Sequence, residues 1–504
     1  MAYRILAWFL RMVTRVFFRQ VEVVGLENIP ADGPVLFAGN HPNSLIDPIL
    51  IITTCGRKVH FAAKDTLFRG RLMRVVLRGL GAVPLARKVE HDGTGRAPVA
   101  ATPRDAAELG KVNDVAFSHM FAVLEAGGAI GIFPEGLSHD ESQLAKLKTG
   151  AARLALGGAA QAGRPIAIVP CGLTFIHPKR FRSRVLVQYG PPVVIAASAA
   201  PDAVKAVTAE IDGALRRLTI NAPDWDTVRA LDTVRRLYQP HEISIEDRIE
   251  LARRFNTYYG AVAGDPRVLS LMARVRSYQD QLDELGLTDR ELARDLSKLE
   301  VSARMMRHLV LVVWWLPLTV PGAPLHLPTV VFARLAGPRL TPRKDVIATT
   351  KMLIGMLLVL LSYAAAVGVL WWTFGWPWAL LAAGILPLSG WATLRVLDRL
   401  RLVRRAFGVL SRRLRFRSEV KALRAEREQL AGDVIRVVGE VKPPELASLF
   451  PPEHPDRFDP AVPFVGLRIE ESSRARRDAD LDAELDKDAM EAQQEADEEA
   501  AERR

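Results

Sequence analysis

The sequence predicts an α/β domain with a mixed sheet flanked by helices, followed by a helical region that contains a transmembrane hairpin. Three observations lead there. From residue 20 to about 220, apolar runs of strand length alternate with helical patterns, as sheets with helical connections do. No residue from Met352 to Leu394 is Asp, Glu, Lys or Arg, which leaves room for two membrane helices of roughly 20 residues each. Basic residues crowd both outer ends of that stretch, so both ends face the same, cytoplasmic side.

In chain order, residues 1–19 read as an interfacial amphipathic helix. Arg4, Arg11, Arg15 and Arg19 fall on one stripe at about 100° per residue, and apolar side chains cover most of the rest. These charges are too many for a signal-peptide core. A helix packed on the core is the alternative for the same pattern. Residues 20–221 form the α/β domain, with strands expected at Val21–Val24, Val35–Ala38, Val59–Ala62, Ala82–Leu85, Ala129–Phe133, Ile166–Val169 and Val185–Tyr189. Helices are expected at Val115–Glu125 and Gly150–Ala162, and a surface loop from Lys88 to about Asp105.

Residues 222–307 are charged and helical. Membrane segments follow over 308–395. In the hairpin 352–394, Gly375 and Pro377 supply the turn and Trp371, Trp372, Trp376 and Trp378 flank it as an interfacial belt. The apolar stretch 309–333 holds Pro317, Pro321, Pro324 and Pro328, which would remove several helix hydrogen bonds, so a re-entrant or interfacial segment is expected there. Residues 396–470 are basic and helical, then Pro-rich, and suit contact with anionic lipid. Residues 471–504 form a charged tail with the composition of a disordered segment.

The net charge of +11 fits nucleic acid, anionic lipid or a phosphorylated substrate alike. The arginines gather beside the apolar spans and no base-reading motif occurs, so a nucleic-acid partner is not expected and an anionic phospholipid membrane is. Two unpaired cysteines, Cys55 and Cys171, exclude a disulfide framework and a thiolate metal site. The histidines have no ligand spacing, and no metal or cofactor is expected.

The sharpest chemical signal is Gly39-Asn40-His41-Pro42-Asn43-Ser44-Leu45-Ile46-Asp47, placed between an apolar strand and an apolar helical run. A histidine leaving the strand and an aspartate one turn into the helix can meet as a dyad. The imidazole would take a proton from an attacking hydroxyl while the carboxylate fixes its tautomer. Taken alone, the pair fits a loop histidine beside a helix-capping aspartate equally well. Downstream stand Gly81-Ala82-Val83-Pro84-Leu85-Ala86-Arg87, Ile132-Phe133-Pro134-Glu135-Gly136-Leu137-Ser138-His139-Asp140, Leu147-Lys148-Thr149-Gly150-Ala151 and Ile168-Val169-Pro170-Cys171-Gly172. In this order the set resembles the four blocks of the glycerolipid acyltransferase family, the glycerol-3-phosphate and lysophosphatidic acid acyltransferases, over roughly residues 20 to 220.

The resemblance implies acyl transfer from acyl-CoA or acyl carrier protein, as co-substrate, to the sn-1 hydroxyl of glycerol 3-phosphate. The alternatives are acylation of lysophosphatidic acid or another lysophospholipid, and an inactive membrane lipid-binding protein. It makes His41 the base and Asp47 its orienting partner, and puts Arg87, Glu135 and Gly136 where the family binds glycerol phosphate. A guanidinium at Arg87 can grip a phosphate through paired hydrogen bonds, and Gly136 would let a backbone amide approach the anion. Glu135 would accept from glycerol hydroxyls, hold Arg87, or anchor its own turn. Lys64 would add a second phosphate charge or be a solvated lysine, and Lys148 has the same standing. Five residues separate His41 from Asp47 where the family commonly has four. One extra residue would rotate the carboxylate by about 100° on a continuous helix, unless a loop absorbs it. That spacing, with Ser138-His139-Asp140 and the Lys148-Thr149-Gly150 step, resembles the subgroup related to fungal glycerol-3-phosphate/dihydroxyacetone-phosphate acyltransferases. The catalytic domain is expected on the cytoplasmic side of the cell inner membrane, where acyl-CoA or acyl carrier protein is available.

Overall fold

The computed structural model describes residues 2–85, 115–139, 141, 143–175, 177–219, 225–239, 251, 254–255, 258–285, 287, 289, 292, 298–341 and 343–443. Arg87, the 88–105 loop and the 471–504 tail lie outside them.

The first compact unit comprises Met1–Asn221 together with Pro328–Leu361. Its strands are β1 (Gln20–Val24), β2 (Val35–Gly39), β3 (Val59–Lys64), β4 (Val83–Leu85), β5 (Ala129–Ile132), β6 (Ile166–Phe175), β7 (Arg184–Tyr189) and β8 (Val193–Ile195). Among the described residues they form one mixed sheet in the order β1-β7-β6-β2-β5-β3-β4, with β8 also beside β6. The seven expected strands are present. The eighth, Val193–Ile195, has only three residues behind Pro191-Pro192, too short a run to register as a strand.

The central strands read as unbroken apolar runs because the sheet is covered on both faces. Along β2 the side chains alternate: Val35 and Phe37 join one core cluster, while Leu36 and Ala38 join another. The Phe37 side is filled by α1 (Ala2–Phe17) and α2 (Ile46–Thr54). The Leu36 side is filled by α4 (Val115–Glu125), α5 (Gly150–Ala162) and α6 (Ala203–Arg216), α3 (Arg71–Gly79) lying between β3 and β4 in the chain.

One stripe of α1 thus belongs to the core: Ala7, Val13 and Phe17 are buried. Arg4, Arg11 and Arg15 are exposed, and Arg11 donates to the carbonyl of Thr53 at 3.1 Å. The opposite stripe leaves Ile5, Trp8, Met12 and Val16 exposed.

The second compact unit comprises Ala222–Leu327 and Ser362–Arg504. Within it, α7 (Trp225–Tyr238), α8 (Pro266–Leu285) and α13 (Arg417–Val441) share an apolar core around Val275, Tyr278, Leu430 and Val434. The apolar helices are α9 (Lys298–Thr319), α10 (Ala323–Leu340), α11 (Ile347–Phe374) and α12 (Trp376–Arg415). Three stretches are long and apolar enough to cross a membrane by length and composition: Met305–Leu340, Lys344–Phe374 and Trp376–Arg404. The proline-bearing segment is helical on both sides of a one-turn 3-10 step at Val320–Gly322. Gly375, at φ 89°, makes the turn between α11 and α12, a backbone setting suited to glycine.

Around His326 of α10, polar groups of α10, α11 and α12 satisfy one another. His326 pairs with Thr393 Oγ1 at 3.1 Å and with the Tyr363 hydroxyl at 2.7 Å, and that hydroxyl donates to the Leu386 carbonyl at 2.8 Å.

Candidate active site

The site is built beyond the carboxyl ends of β2 and β5, adjacent parallel strands at the centre of the sheet. Connections leaving such strands diverge and open a crevice there. β2 ends at Gly39, and the next residue is pinned by a two-way amide clamp. Asn40 Nδ2 donates to the Leu173 carbonyl at 3.0 Å, and the Leu173 amide donates to Asn40 Oδ1 at 2.7 Å. His41 follows directly on this fixed point.

His41 Nδ1 lies 2.8 Å from Asp47 Oδ2. The extra residue between them is taken up before the helix begins. Ser44 adopts φ 50°, the left-handed region, and α2 starts only at Ile46. The turn closes through the Ile46 amide, which donates to the Asn43 carbonyl at 3.1 Å, and through the Asn43 amide, which donates to Asp47 Oδ2 at 2.7 Å. Asn43 is itself held by its side-chain amide, which donates to the Pro178 carbonyl at 2.8 Å. The loop thus absorbs the rotation that a continuous helix would have imposed.

Asp47 is fully buried, while His41 keeps 12% of its side chain exposed. Burial pushes the Asp47 carboxyl well above the usual carboxylate range; the Asn43 amide pulls it down, and the charges of Glu135 and Asp345 push it further up. At this separation the carboxyl and Nδ1 can share one proton. Phe133, at the end of β5, stacks on the imidazole with centroids 4.1 Å apart and planes 8° from parallel. Phe61 stacks on Phe133 in turn at 5.6 Å.

Glu135 is buried and engaged by the protein. Oε1 accepts the His41 amide at 2.8 Å; Oε2 accepts the Ala145 amide at 2.8 Å and pairs with His139 Nε2. Three protein donors take up most of its acceptor capacity, so what Glu135 does here is anchor the His41 loop to the β5 turn. The hydrogen bond to Glu135 raises the pKa of His139 against the opposing effect of burial. The His139 amide donates to the His41 carbonyl at 3.1 Å, a second tie between the two loops.

Gly136 has φ 73°, and its own amide closes the turn on the Phe133 carbonyl at 3.0 Å. A Cβ there would lie 2.6 Å from Lys148 Nζ, so the missing side chain makes room for that ammonium. Lys64 ends β3. The sequence reading passed over Asn43 and Phe133 as site residues. The polar Asn40–Asn43 block in a loop of short side chains was the available signal for the first, and a stacked ring leaves none. Among the described residues no group of His, Cys, Asp and Glu has a metal-holding arrangement.

Comparison with known proteins agrees with this layout. A family profile described as acyltransferase matches residues 20–174, and one described as glycerol-3-phosphate acyltransferase 2 C-terminal domain matches 230–446. Glycerol-3-phosphate O-acyltransferase 2 of Saccharomyces cerevisiae is 30% identical over half of this chain, which spans 37% of that relative. An uncharacterised acyltransferase of Schizosaccharomyces pombe is 25% identical over 90% of this chain and 82% of its own. Glycerol-3-phosphate O-acyltransferase 1 of Saccharomyces cerevisiae is 24% identical over 70% of this chain and 59% of its own. Both profiles match in order, one over the α/β domain and one over the helical region, and together with the yeast relatives they support the glycerolipid acyltransferase family for this chain.

Proposed function

We propose that this protein transfers a fatty acyl chain from an acyl thioester, acyl-CoA or acyl carrier protein, to the sn-1 hydroxyl of glycerol 3-phosphate at the cytoplasmic face of the cell inner membrane. The observation that carries this reading is the His41–Asp47 pair at 2.8 Å, its imidazole stacked on Phe133. In the reaction the acceptor hydroxyl gives its proton to His41 Nε2 as its oxygen attacks the thioester carbonyl carbon. The tetrahedral intermediate then collapses and expels the thiolate, which takes the proton back from Nε2. Asp47 holds the Nδ1 proton throughout and stabilises the imidazolium. No enzyme nucleophile is needed, because the acceptor attacks directly.

The names of the yeast relatives support glycerol 3-phosphate as acceptor, and Met352–Leu394 supports a membrane location that suits a lipid product. The basic residues at both ends of that stretch favour the cytoplasmic side for the catalytic unit. Assaying the purified full-length protein with labelled acyl-CoA or acyl carrier protein against glycerol 3-phosphate and lysophosphatidic acid tests the acceptor directly. Glycerol 3-phosphate is expected to be turned over, and His41→Ala to lower the rate by about 10³-fold or more while the protein stays folded and membrane-bound. Full activity in that variant, or acylation of lysophosphatidic acid alone, refutes the proposal.

A further inference from the structure

The segment just before α11 brings charged groups to the β5 turn from two hundred residues away in the chain. Asp345 is buried, with 7% of its side chain exposed, and accepts a hydrogen bond from the Ser138 hydroxyl. Arg343 forks onto the same carboxylate, Nε to Oδ1 at 3.2 Å and Nη2 to Oδ2 at 2.7 Å. Its Nη2 also donates to Ser138 Oγ at 3.1 Å. Ser138 precedes His139, whose amide bonds to the His41 carbonyl. The guanidinium is thus fixed to a turn that is itself fixed to the proposed base.

Two features point outward from that arrangement. Asp345 and Ser138 occupy one edge of the guanidinium, and among the described residues nothing bonds to Nη1, while 37% of the side chain is exposed. A planar fork locked along one edge is pre-organised to receive a second oxyanion along the other. Lys148, an exposed residue, brings its ammonium against Gly136 of the same turn. Gly136 and Ser138 are two residues apart, at most about 7 Å of chain, so two cations flank one short stretch. A hydroxyl presented to His41 Nε2 on a glycerol backbone has its phosphate only a few bonds away.

We propose that Arg343 seats the phosphate of the acyl acceptor. It does so beside Lys148 and makes the leading end of α11 part of the substrate pocket. The proposal rests on the acyl-transfer reading above and assigns acceptor specificity to a residue outside the four blocks.

The test uses the full-length protein in detergent, native and with Arg343→Ala or Arg343→Lys. Calorimetric titration with sn-glycerol 3-phosphate, without acyl donor, is expected to show affinity weakened about 10- to 100-fold in the Ala variant and partly restored by Lys. In turnover, KM for glycerol 3-phosphate rises by the same factor while KM for acyl-CoA stays within about twofold, and the preference over phosphate-free glycerol collapses. Native affinity in an Ala variant that melts like the parent overturns the proposal. So does a rise confined to the KM of acyl-CoA, which would assign the guanidinium to the donor's phosphates. A fall in kcat with unchanged acceptor affinity also overturns it, leaving a purely structural latch. Native protein that binds glycerol phosphate through Arg343 yet acylates nothing would sink the proposed function alone, because titration needs no turnover.

Discussion

Asp47 sits with no exposed surface, one oxygen meeting two partners and the other, Oδ1, meeting none among the described residues. Such a carboxylate is tuned for its partner rather than for stability. Its folded proton affinity is raised above that of the unfolded chain, whose carboxyl titrates near about 3.9. The stabilising contribution of this group is therefore complete below that value and is lost as pH rises through the folded value. Asp47→Asn removes the titration. Its melting temperature is expected to fall less between about pH 5 and pH 8.5 than that of the native protein. Turnover is expected to drop about 10³- to 10⁴-fold through loss of the correct tautomer. Parallel melting curves with near-native turnover would contradict this account. His41 and Asp47 were legible because a block of short polar residues between apolar runs has few structural uses. Arg343 was legible only as one of several basic residues flanking an apolar span, since sequence distance conceals that its carboxylate partner meets Ser138.

β5 supports the ring stack from below through a glycine. A Cβ on Gly131 would lie 2.2 Å from Phe61, whose ring supports Phe133 and through it His41. Gly131→Ala is expected to cost about 1–3 kcal/mol by overpacking and to lower kcat at least about tenfold as the imidazole shifts. Melting and steady-state kinetics together check this, and native kcat in a destabilised variant would separate the stack from catalysis. Strand positions were readable wherever both faces are buried, because the apolar runs are then continuous. The length of β6 was not readable. It continues through Pro170 to Phe175 because its partner on one edge changes there: β8 pairs with Ile166–Ile168 and β7 with Cys171–Phe175. Pro170 falls in the gap, where a missing N–H disturbs no ladder.

For the molecule as a whole, the first compact unit extends beyond the contiguous domain that sequence order suggests. Ala348 and Met352, on the first turns of α11, are buried in the same cluster as Phe37 and Ile46, and Thr349 Oγ1 donates to the Asn43 carbonyl at 3.5 Å. A fragment ending at residue 221 lacks that packing, a deficit of about 2–5 kcal/mol for a buried methionine alone. It is expected to melt well below the full chain and to be inactive, as differential scanning fluorimetry and acyl-transfer assays in detergent would reveal; an active, equally stable fragment would contradict it. The periodicity of the apolar run gave no hint that its first turns are core rather than bilayer, because both environments select the same side chains. The arrangement also bears on biosynthesis. A ribosome must polymerise three hundred residues past the histidine before the helix that finishes its surroundings emerges. The core of the first compact unit is therefore completed only after most of the chain has been made.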